Sequence, residues 1–447
     1  MEYISFRGGI HPRDKKSYTE HKSIEKAQLP KKVFIPLQQH IGAPAQPVVN
    51  VGDKVTTGQM IGKAGGFISA AVHASISGEV INIGPLLCPG GQNVTTITIE
   101  SDRKDEWREL SGREEDLAQL TKDDLLQRIM DAGIVGLGGA AFPTHIKLNP
   151  PSEKPIDTLI INGAECEPYL NSDYRLMVER PEDIIAGIEI LVKILQVKKV
   201  YIGIEDNKPD AITLLRKSVM ESGIQKIIKV QKLKTKYPQG GEKQLIRAIT
   251  NRRVPPPPAL PMDVGVVVQN IGTTVAIYEA VKFHKPLIER VVTITGEGVK
   301  EPRNLLVRLG VTFEELIHQC GGLSADPYKV IMGGPMMGIA QYSLSVPVIK
   351  GTSGILILPD DEKMKIENDY YSCIRCKRCI NSCPMELIPS KIGILCEKNI
   401  FEPLNEYGIF SCIECGSCTY VCPSKRPLVQ FIKYGKNELL RRRQKAN

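Results

Sequence analysis

No run of apolar residues in this 447-residue chain approaches the length of about 18–20 that a membrane-crossing helix needs. The longest candidate, near Gly187–Val197, is interrupted by Glu189, Lys193 and Gln196. The N-terminal stretch from Met1 to Lys32 is charged and polar, so a secretory signal peptide is not expected. Aromatic residues are scarce, 5% of the chain with one tryptophan, and none interleave with a basic stripe. Nucleic acid is therefore not an expected partner. The net charge of +8 is mild, and part of it sits near the end, where Lys433, Lys436, Arg441, Arg442, Arg443 and Lys445 face only Glu438. This segment reads either as a solvated helix terminus, whose dipole favours cations, or as a contact for anionic lipid or acidic protein. The rest is ordinary: 42% hydrophobic residues and a length suited to about three domains.

Cysteine is different. Eight of the twelve fall into two copies of the spacing C-x2-C-x2-C-x3-C. Cys373, Cys376, Cys379 and Cys383 are followed by Pro384; Cys412, Cys415, Cys418 and Cys422 are followed by Pro423. A [4Fe–4S] cubane needs four thiolates converging from four directions. Three cysteines at this spacing line one tight loop, and in two-cluster ferredoxins the fourth reaches across to the other cluster. The expectation is two [4Fe–4S] clusters with crossed ligands. Cys373, Cys376, Cys379 and Cys422 hold one; Cys412, Cys415, Cys418 and Cys383 hold the other. Structural zinc, the competing reading of paired CxxC units, needs neither the third cysteine step nor the Cys-Pro ending. Cluster thiolates also call for a reducing compartment, which points to the cytoplasm.

The fold class expected is multidomain α/β. Residues Leu29–Ile99 alternate short apolar runs with Gly and Pro turns, an all-β pattern. The words VGDKVTTGQMIG and HASISGEVINI resemble the two halves of a biotinyl/lipoyl-type barrel-sandwich domain. The hairpin between them, Gly66–Ala71, has no lysine, so the shape is expected without the prosthetic group, and His73 is expected to be structural. A polar linker, Ser101–Thr121, precedes a helix N-capped by Thr121. From about Ile156 to Tyr278, apolar strands (Thr158–Gly163, Val200–Glu205) alternate with helical segments (Pro181–Leu195, Pro209–Ser222), the pattern of a doubly wound, Rossmann-like core. Arg252–Pro261 is a Pro-rich extended loop. Val291–Gly338 reads as a small β-grasp module with a helix over Thr312–Cys320, and a ferredoxin-like helical unit with both cysteine motifs closes the chain. The expected domains are 1–105, 120–288, 289–350 and 362–432, with a basic tail at 433–447.

Four words stand out, and taken alone the first reads more readily as a plain glycine turn and the second equally as a solvated acidic turn, with parts of a nucleotide site as the other reading. In Gly133–Asn149, Gly136, Gly138 and Gly139 allow backbone N–H groups to approach a phosphate. Pro143 and Thr144 suit a helix start, Lys147 lies at phosphate reach, and Phe142 suits stacking on a flat ring. This is not the G-x-G-x-x-G fingerprint, because Ala141 takes the third glycine's place and no strand plainly precedes the loop. In Ile161–Asp173, Asn162, Glu165 and Glu167 fall at a strand end, where α/β folds place ligands and carboxylates accept hydroxyl hydrogen bonds. Cys166 is given no role. The third word, Lys236–Leu245, combines Tyr237, the pair Gly240-Gly241 and Glu242; the fourth, Val267–Ile277, offers Asn270, Thr273 and Thr274 after a strand.

In this order the words resemble the FMN- and NADH-binding flavoprotein subunit of respiratory complex I. With the barrel-sandwich start and the double ferredoxin, nearly the whole chain resembles the RnfC family, the C component of the Rnf-type ion-translocating electron transport complex. The resemblance implies FMN phosphate and ribityl contacts at Gly136, Gly138, Lys147 and Asn162. It implies NAD(H) over the flavin near Gly139, Phe142, Glu167 and Glu242, with the two carboxylates orienting the nucleotide. Asn270 and Thr273 would close the flavin pocket, and Glu165, Tyr237 and Gly240 complete the cofactor-binding set. The module after the flavin domain resembles the SLBB-type β-grasp. Complex I has arginine where Leu137 stands, aspartate where Ala164 stands, and a double glutamate where Gly241-Glu242 stands, which implies weaker flavin affinity.

The activity implied is hydride exchange between NAD(H) and FMN with single electrons relayed through the clusters. The chain would be a peripheral subunit on the cytoplasmic face of the bacterial cell membrane. Its partners would be the other subunits, which pump Na+ or H+, and indirectly ferredoxin. Two alternatives are a soluble flavin/Fe–S reductase of the cobalamin-reductase type and a non-catalytic two-cluster wire or scaffold.

Overall fold

The computed structural model describes residues 4–108, 117, 119–324, 326–360 and 370–446. Part of the expected linker, and the expected start of the cluster unit at 362, lie outside the described residues.

The first unit is built from two small sheets. One orders Lys32–Pro36, Asn93–Ser101, Gly78–Leu87 and Lys54–Val55; the other orders Gln46–Pro47, Met60–Lys63 and Val72–His73. Alternating side chains such as Val33 and Ile35, or Ile97 and Ile99, point inward and meet Ile61, Val72, Ile76 and Val80 in one core. His73 is buried, and burial holds its ring well below the usual imidazole range, so it is a neutral core histidine.

The second unit is a four-stranded parallel sheet in the order Ile228–Leu233, Lys199–Glu205, Thr158–Gly163, Val266–Asn270. Its strands are short apolar runs, as expected for a sheet covered on both faces. Helices Lys122–Asp131, Ser172–Glu179, Pro181–Leu195, Pro209–Glu221, Glu242–Thr250 and Ile271–Phe283 surround it. Thr121 does cap the first of these: its hydroxyl accepts the Asp124 N–H while the Asp124 carboxylate accepts the Thr121 N–H. Such a reciprocal cap is worth about 1 kcal/mol.

The third unit is a six-stranded mixed sheet ordered Ile24–Lys26, Arg303–Arg308, Glu289–Thr295, Gly354–Pro359, Pro327–Met332, Ile339–Gln341. Helix Phe313–Gln319, capped by Thr312, packs on it. The last unit is helical: Arg378–Ser382, Pro389–Glu397, Ser417–Tyr420 and Leu428–Ala446 enclose Ile392, Leu395, Phe401, Leu404 and Ile432.

Two features differ from the sequence expectation. The segment before the barrel crosses three other units. Ile4 pairs with Leu233, Ile10 with Tyr237, Gly9 donates its N–H to the Ser382 carbonyl at 2.9 Å, and Ile24–Lys26 joins the six-stranded sheet parallel to Arg303–Arg308. The basic tail is no separate piece, because helix Leu428–Ala446 runs unbroken through residues 432 and 433. It folds its cations back on its own unit, with Arg442 over the Phe401 ring and Arg443 over Phe410.

Candidate functional site

The central strand Thr158–Gly163 has its sequence successors on one side and the late strand Val266–Asn270 on the other. The sheet order therefore reverses between these two strands, and their C-terminal ends open a crevice of the kind in which α/β proteins hold ligands. Asn162 and Asn270 are register partners on its rim. The Asn162 side chain accepts the Ala164 N–H at 3.2 Å and donates to the Gly240 carbonyl at 2.8 Å, joining the second and third words. Asn270 caps helix Ile271–Phe283 by accepting the Thr273 N–H at 3.2 Å, and Gly138 lies so close to it that a Cβ there would come 2.6 Å from Nδ2. The Thr273 hydroxyl accepts the Leu137 N–H at 2.9 Å. All four words thus meet at one crevice.

The glycine loop is a closed lasso. Val135 bridges Pro143, and the Gly136 N–H donates to the Phe142 carbonyl at 2.9 Å. The tip, Gly138 to Ala140, is exposed, and among the described residues its N–H groups have no protein acceptor. A Cβ on Gly139 would meet nothing within 4 Å, whereas Gly138 has no room for one. A short helix, Thr144–Lys147, follows and carries Lys147 toward Glu242, with Nζ to Oε1 at 2.7 Å. Free amides, an open glycine flank and a half-buried lysine fit an anionic, flat cofactor such as FMN phosphate with its ring system.

The two glutamates of the second word are engaged within the protein. Glu165, held at φ 43°, accepts the N–H groups of Asp173 (2.8 Å) and Tyr174 (3.0 Å) and so caps helix Ser172–Glu179. Glu167 accepts the N–H groups of Met336 (3.1 Å) and Met337 (2.8 Å) from the β-grasp unit. Burial pushes its carboxyl up to about 7, opposed by those two amides. Tyr237 is fully buried, with its phenol oxygen lacking a hydrogen-bond partner, and packs with Ile10 and Cys415 beside Cys166. The Gly240 N–H donates to the Cys166 sulfur at 3.3 Å.

Two buried charged residues escape a reading of the sequence. Asp173 accepts from Asn270 Nδ2 at 2.6 Å, and burial, then the neighbouring Glu165, push it up to about 7. Arg290 donates Nη2 to the Leu137 carbonyl at 3.2 Å and Nη1 to the Lys350 carbonyl; burial lowers it to about 10 against the pull of Asp173. Asp173 ends the second word, so its position is a signal. Arg290 comes from the next unit, and no local pattern marks it.

The thiols fall into two groups. Cys379 lies in electrostatic reach of Cys422 and Cys373; Cys383 lies in reach of Cys415, and Cys412 and Cys418 in reach of both Cys415 and Cys383. Cys383 thus lies among the thiols of the second motif, and Cys422 lies near Cys379 of the first. No cysteine is in a disulfide, and burial raises Cys379, Cys383, Cys412 and Cys418 above the usual thiol range. Buried sulfurs gathered in this way suit a metal-sulfur core, which takes them as thiolates. Among the described residues no three His, Cys, Asp or Glu side chains converge as a single-ion site. The N–H groups of Leu387 and Glu414 point at the Cys383 and Cys412 sulfurs, each at 3.4 Å, the kind of bond that tunes cluster potential.

Residues 4–104 match the RnfC barrel sandwich hybrid domain, 129–279 the Nuo51 FMN-binding domain, 291–340 the SLBB domain and 372–426 the 4Fe-4S dicluster domain. The chain is similar to the C component of the proton-translocating ferredoxin:NAD(+) oxidoreductase complex of Clostridium ljungdahlii, 52% identical over 97% of this chain and 94% of that relative. It is likewise similar to the C component of the Na(+)-translocating ferredoxin:NAD(+) oxidoreductase complex of Acetobacterium woodii, 44% identical over the full length of both. The corresponding component of the ion-translocating oxidoreductase complex of Rhodobacter capsulatus is 43% identical over 100% of this chain and 85% of that relative. A chain in the crystal structure of an NAD+-reducing [NiFe]-hydrogenase in the H2-reduced state shares the fold, with a TM-score of 0.50 and 18% identity over 70% of this chain and 61% of that one. On this identity and coverage, the chain belongs to the RnfC family, the C components of ion-translocating ferredoxin:NAD+ oxidoreductase complexes.

Proposed function

We infer that this chain is the NAD(H)-handling subunit of such a complex, exchanging electrons between a nicotinamide nucleotide and membrane partners. The observation that carries the reading is the meeting of four sequence words at one switch-point crevice, whose buried Tyr237 packs on Cys415 of a cluster loop. FMN, when bound, supplies the conversion between a two-electron hydride and single-electron transfers.

The chain's residues bind and orient. The N–H groups around Gly136, Gly138 and Gly139, with Lys147, hold the flavin phosphate. Asn162 and Gly240 line the ribityl side. Phe142 and Glu242 take the nicotinamide nucleotide at the crevice mouth, where Lys147 and Glu242 keep each other extended. Thr273 and Asn270 fix the glycine lasso, Glu165 fixes the helix beside it, and Glu167 ties the crevice to the β-grasp unit. Tyr237 excludes water between crevice and cluster unit. The eight cysteines hold two [4Fe–4S] clusters in the crossed arrangement. The domain limits are 1–105, 120–288, 289–360 and 370–446, because strand Gly354–Pro359 belongs to the six-stranded sheet and helix Leu428–Ala446 to the last unit.

Among the described residues no helix is long and apolar enough to cross a membrane, so translocation belongs to partner subunits. The chain sits peripherally on the cytoplasmic face, where NAD(H) and reduced ferredoxin are found. The test is an anaerobically loaded chain: one FMN, about eight irons and eight sulfides, and bleaching by NADH but not by buffer. A chain that holds iron yet neither retains FMN nor bleaches with NADH overturns the reading.

A further inference from the structure

The two cysteine loops are copies of one another, and the fold uses them differently. Arg375 in the first stands where Glu414 stands in the second, and Lys377 where Gly416 stands. The backbone is the same at both pairs, left-handed at φ 56° and 59°, then at 63° and 75°. The side chains have diverged.

The second loop faces inward. Cys415, Gly416, Ser417 and Cys418 are buried, and Cys415 packs on Ile10 and Tyr237. A Cβ on Gly416 would come 3.2 Å from the Met336 carbonyl, so a lysine there would force the β-grasp loop away. Glu414 is neutralised by Lys436 at 2.7 Å and Lys433 at 3.8 Å.

The first loop faces outward. From Ile374 to Arg378 every residue is exposed, Cys376 included, and Ile374 is 67% exposed beside Tyr371 at 62%. The side chains of Arg375, Lys377 and Arg378 form no ion pair among the described residues. Among the described residues the acids Glu386 and Glu397 are already matched, by Arg253 and Arg426. Alongside runs a groove of about 530 Å³ lined by Arg378, Asn381, Tyr420 and Cys422. A thin basic rim with exposed apolar side chains, laid directly over a cluster loop, is what a charge-steered electron-transfer contact requires.

We propose that the Cys373–Cys379 loop and its groove are the face where electrons cross between this chain and an acidic, one-electron-carrying domain of a partner subunit, while the Cys412–Cys418 loop faces the nucleotide crevice. This rests on the reading of the chain as a nicotinamide-linked oxidoreductase. The two electrons of one hydride leave as two single transfers, each reducing the partner centre by one electron, and the proton goes to solvent.

The test uses the loaded full chain, reduced with dithionite, and the chromium(III) tris-oxalate anion as a paramagnetic probe. Cys376→Ser and Cys415→Ser assign the two cluster resonances, by shift or by loss. The anion should enhance the relaxation of the Cys376-linked resonance about tenfold more than that of the other. Arg375→Glu, Lys377→Glu and Arg378→Glu together should remove that preference at unchanged iron content. In the assembled complex the preference should disappear because the partner covers the loop. Equal relaxation of both resonances in the isolated chain, or a Cys376-linked resonance as reachable in the complex as outside it, overturns the proposal. NADH bleaching of the same sample reports separately on the underlying reading, since dithionite reduces the clusters whether or not the nucleotide crevice works.

Discussion

Lys147 and Glu242 show how two distant residues come to share a task. They meet at 2.7 Å across the crevice mouth, each partly exposed, so their ion pair adds little stability of its own and leaves Lys147 available to a phosphate. Lys147→Ala should weaken FMN binding by roughly 10–100-fold, the value of one charge-assisted hydrogen bond. Quenching of FMN fluorescence on titration measures it, and an unchanged dissociation constant removes Lys147 from the phosphate site. Glu167 makes a different forecast. Its carboxyl is raised from an ordinary 4.5 to about 7 by burial, so the folded chain keeps a proton that the unfolded chain loses. Stability from this group is greatest below 4.5, falls as pH rises from 4.5 to 7, and is level above. The whole drop is at most about 3 kcal/mol. Urea midpoints between about pH 5 and 7, below the window in which Lys350 titrates, should decline more steeply in the parent than in Glu167→Gln. A residual slope of the same sign is expected from Asp173, which burial and Glu165 raise in the same way.

Elements are the most legible level in the sequence. The strand Thr158–Gly163 and the helix Pro181–Leu195 lie where their patterns put them, because an apolar run of six and a Pro-led amphipathic stretch each specify local structure. The proposed crossing of the thiols rests on the same kind of local signal, since the loop of three leaves its fourth cysteine beyond reach, and Cys383 lies beside Cys415. Cys383→Ser should therefore perturb the resonance of the cluster held by Cys412, Cys415 and Cys418, and Cys422→Ser that of the other. Electron paramagnetic resonance of the reduced chain decides; perturbation of each variant's own motif would defeat the crossing. What the pattern does not reveal is occupation. Glu165 and Asn270 read as ligand contacts, and both are also helix caps, because a carboxylate or amide beside a helix start finds unpaired N–H groups first.

The assembled molecule depends on contacts that join units far apart in sequence. Lys350 is buried, and its Nζ donates at 2.7 Å both to the Ala71 carbonyl in the barrel hairpin and to the Gly133 carbonyl at the base of the glycine lasso. Burial lowers its ammonium from an ordinary 10.5 to about 7. The unfolded chain then binds the extra proton between pH 7 and 10.5, so stability from this group rises with pH across that window. Lys350→Met leaves two buried carbonyls unpaired and should cost about 1–3 kcal/mol. It should also speed hydrogen exchange at residues 70–76 and 133–136 together and abolish the alkaline rise. Slowed or unchanged exchange at both would show that the junction does not rest on Lys350. The segment from Ile4 to Lys26 ties the same units from the opposite side through Leu233, Tyr237, Ser382 and Asn304.

Spacing and periodicity determined the iron-sulfur chemistry and the main strands and helices of the α/β core, while the nucleotide words took their meaning from their order and family resemblance. The cluster motifs and the core elements depend on neighbours a few residues apart, where chain geometry leaves little choice. Folding in three dimensions settled which loop is covered and which is open, which carboxylates are already capped, and that Arg290 and Lys350 reach back to Leu137 and Gly133. The reach of Arg290, Lys350 and Glu167 turns on contacts across more than a hundred residues of chain, which burial enforces and no local pattern encodes.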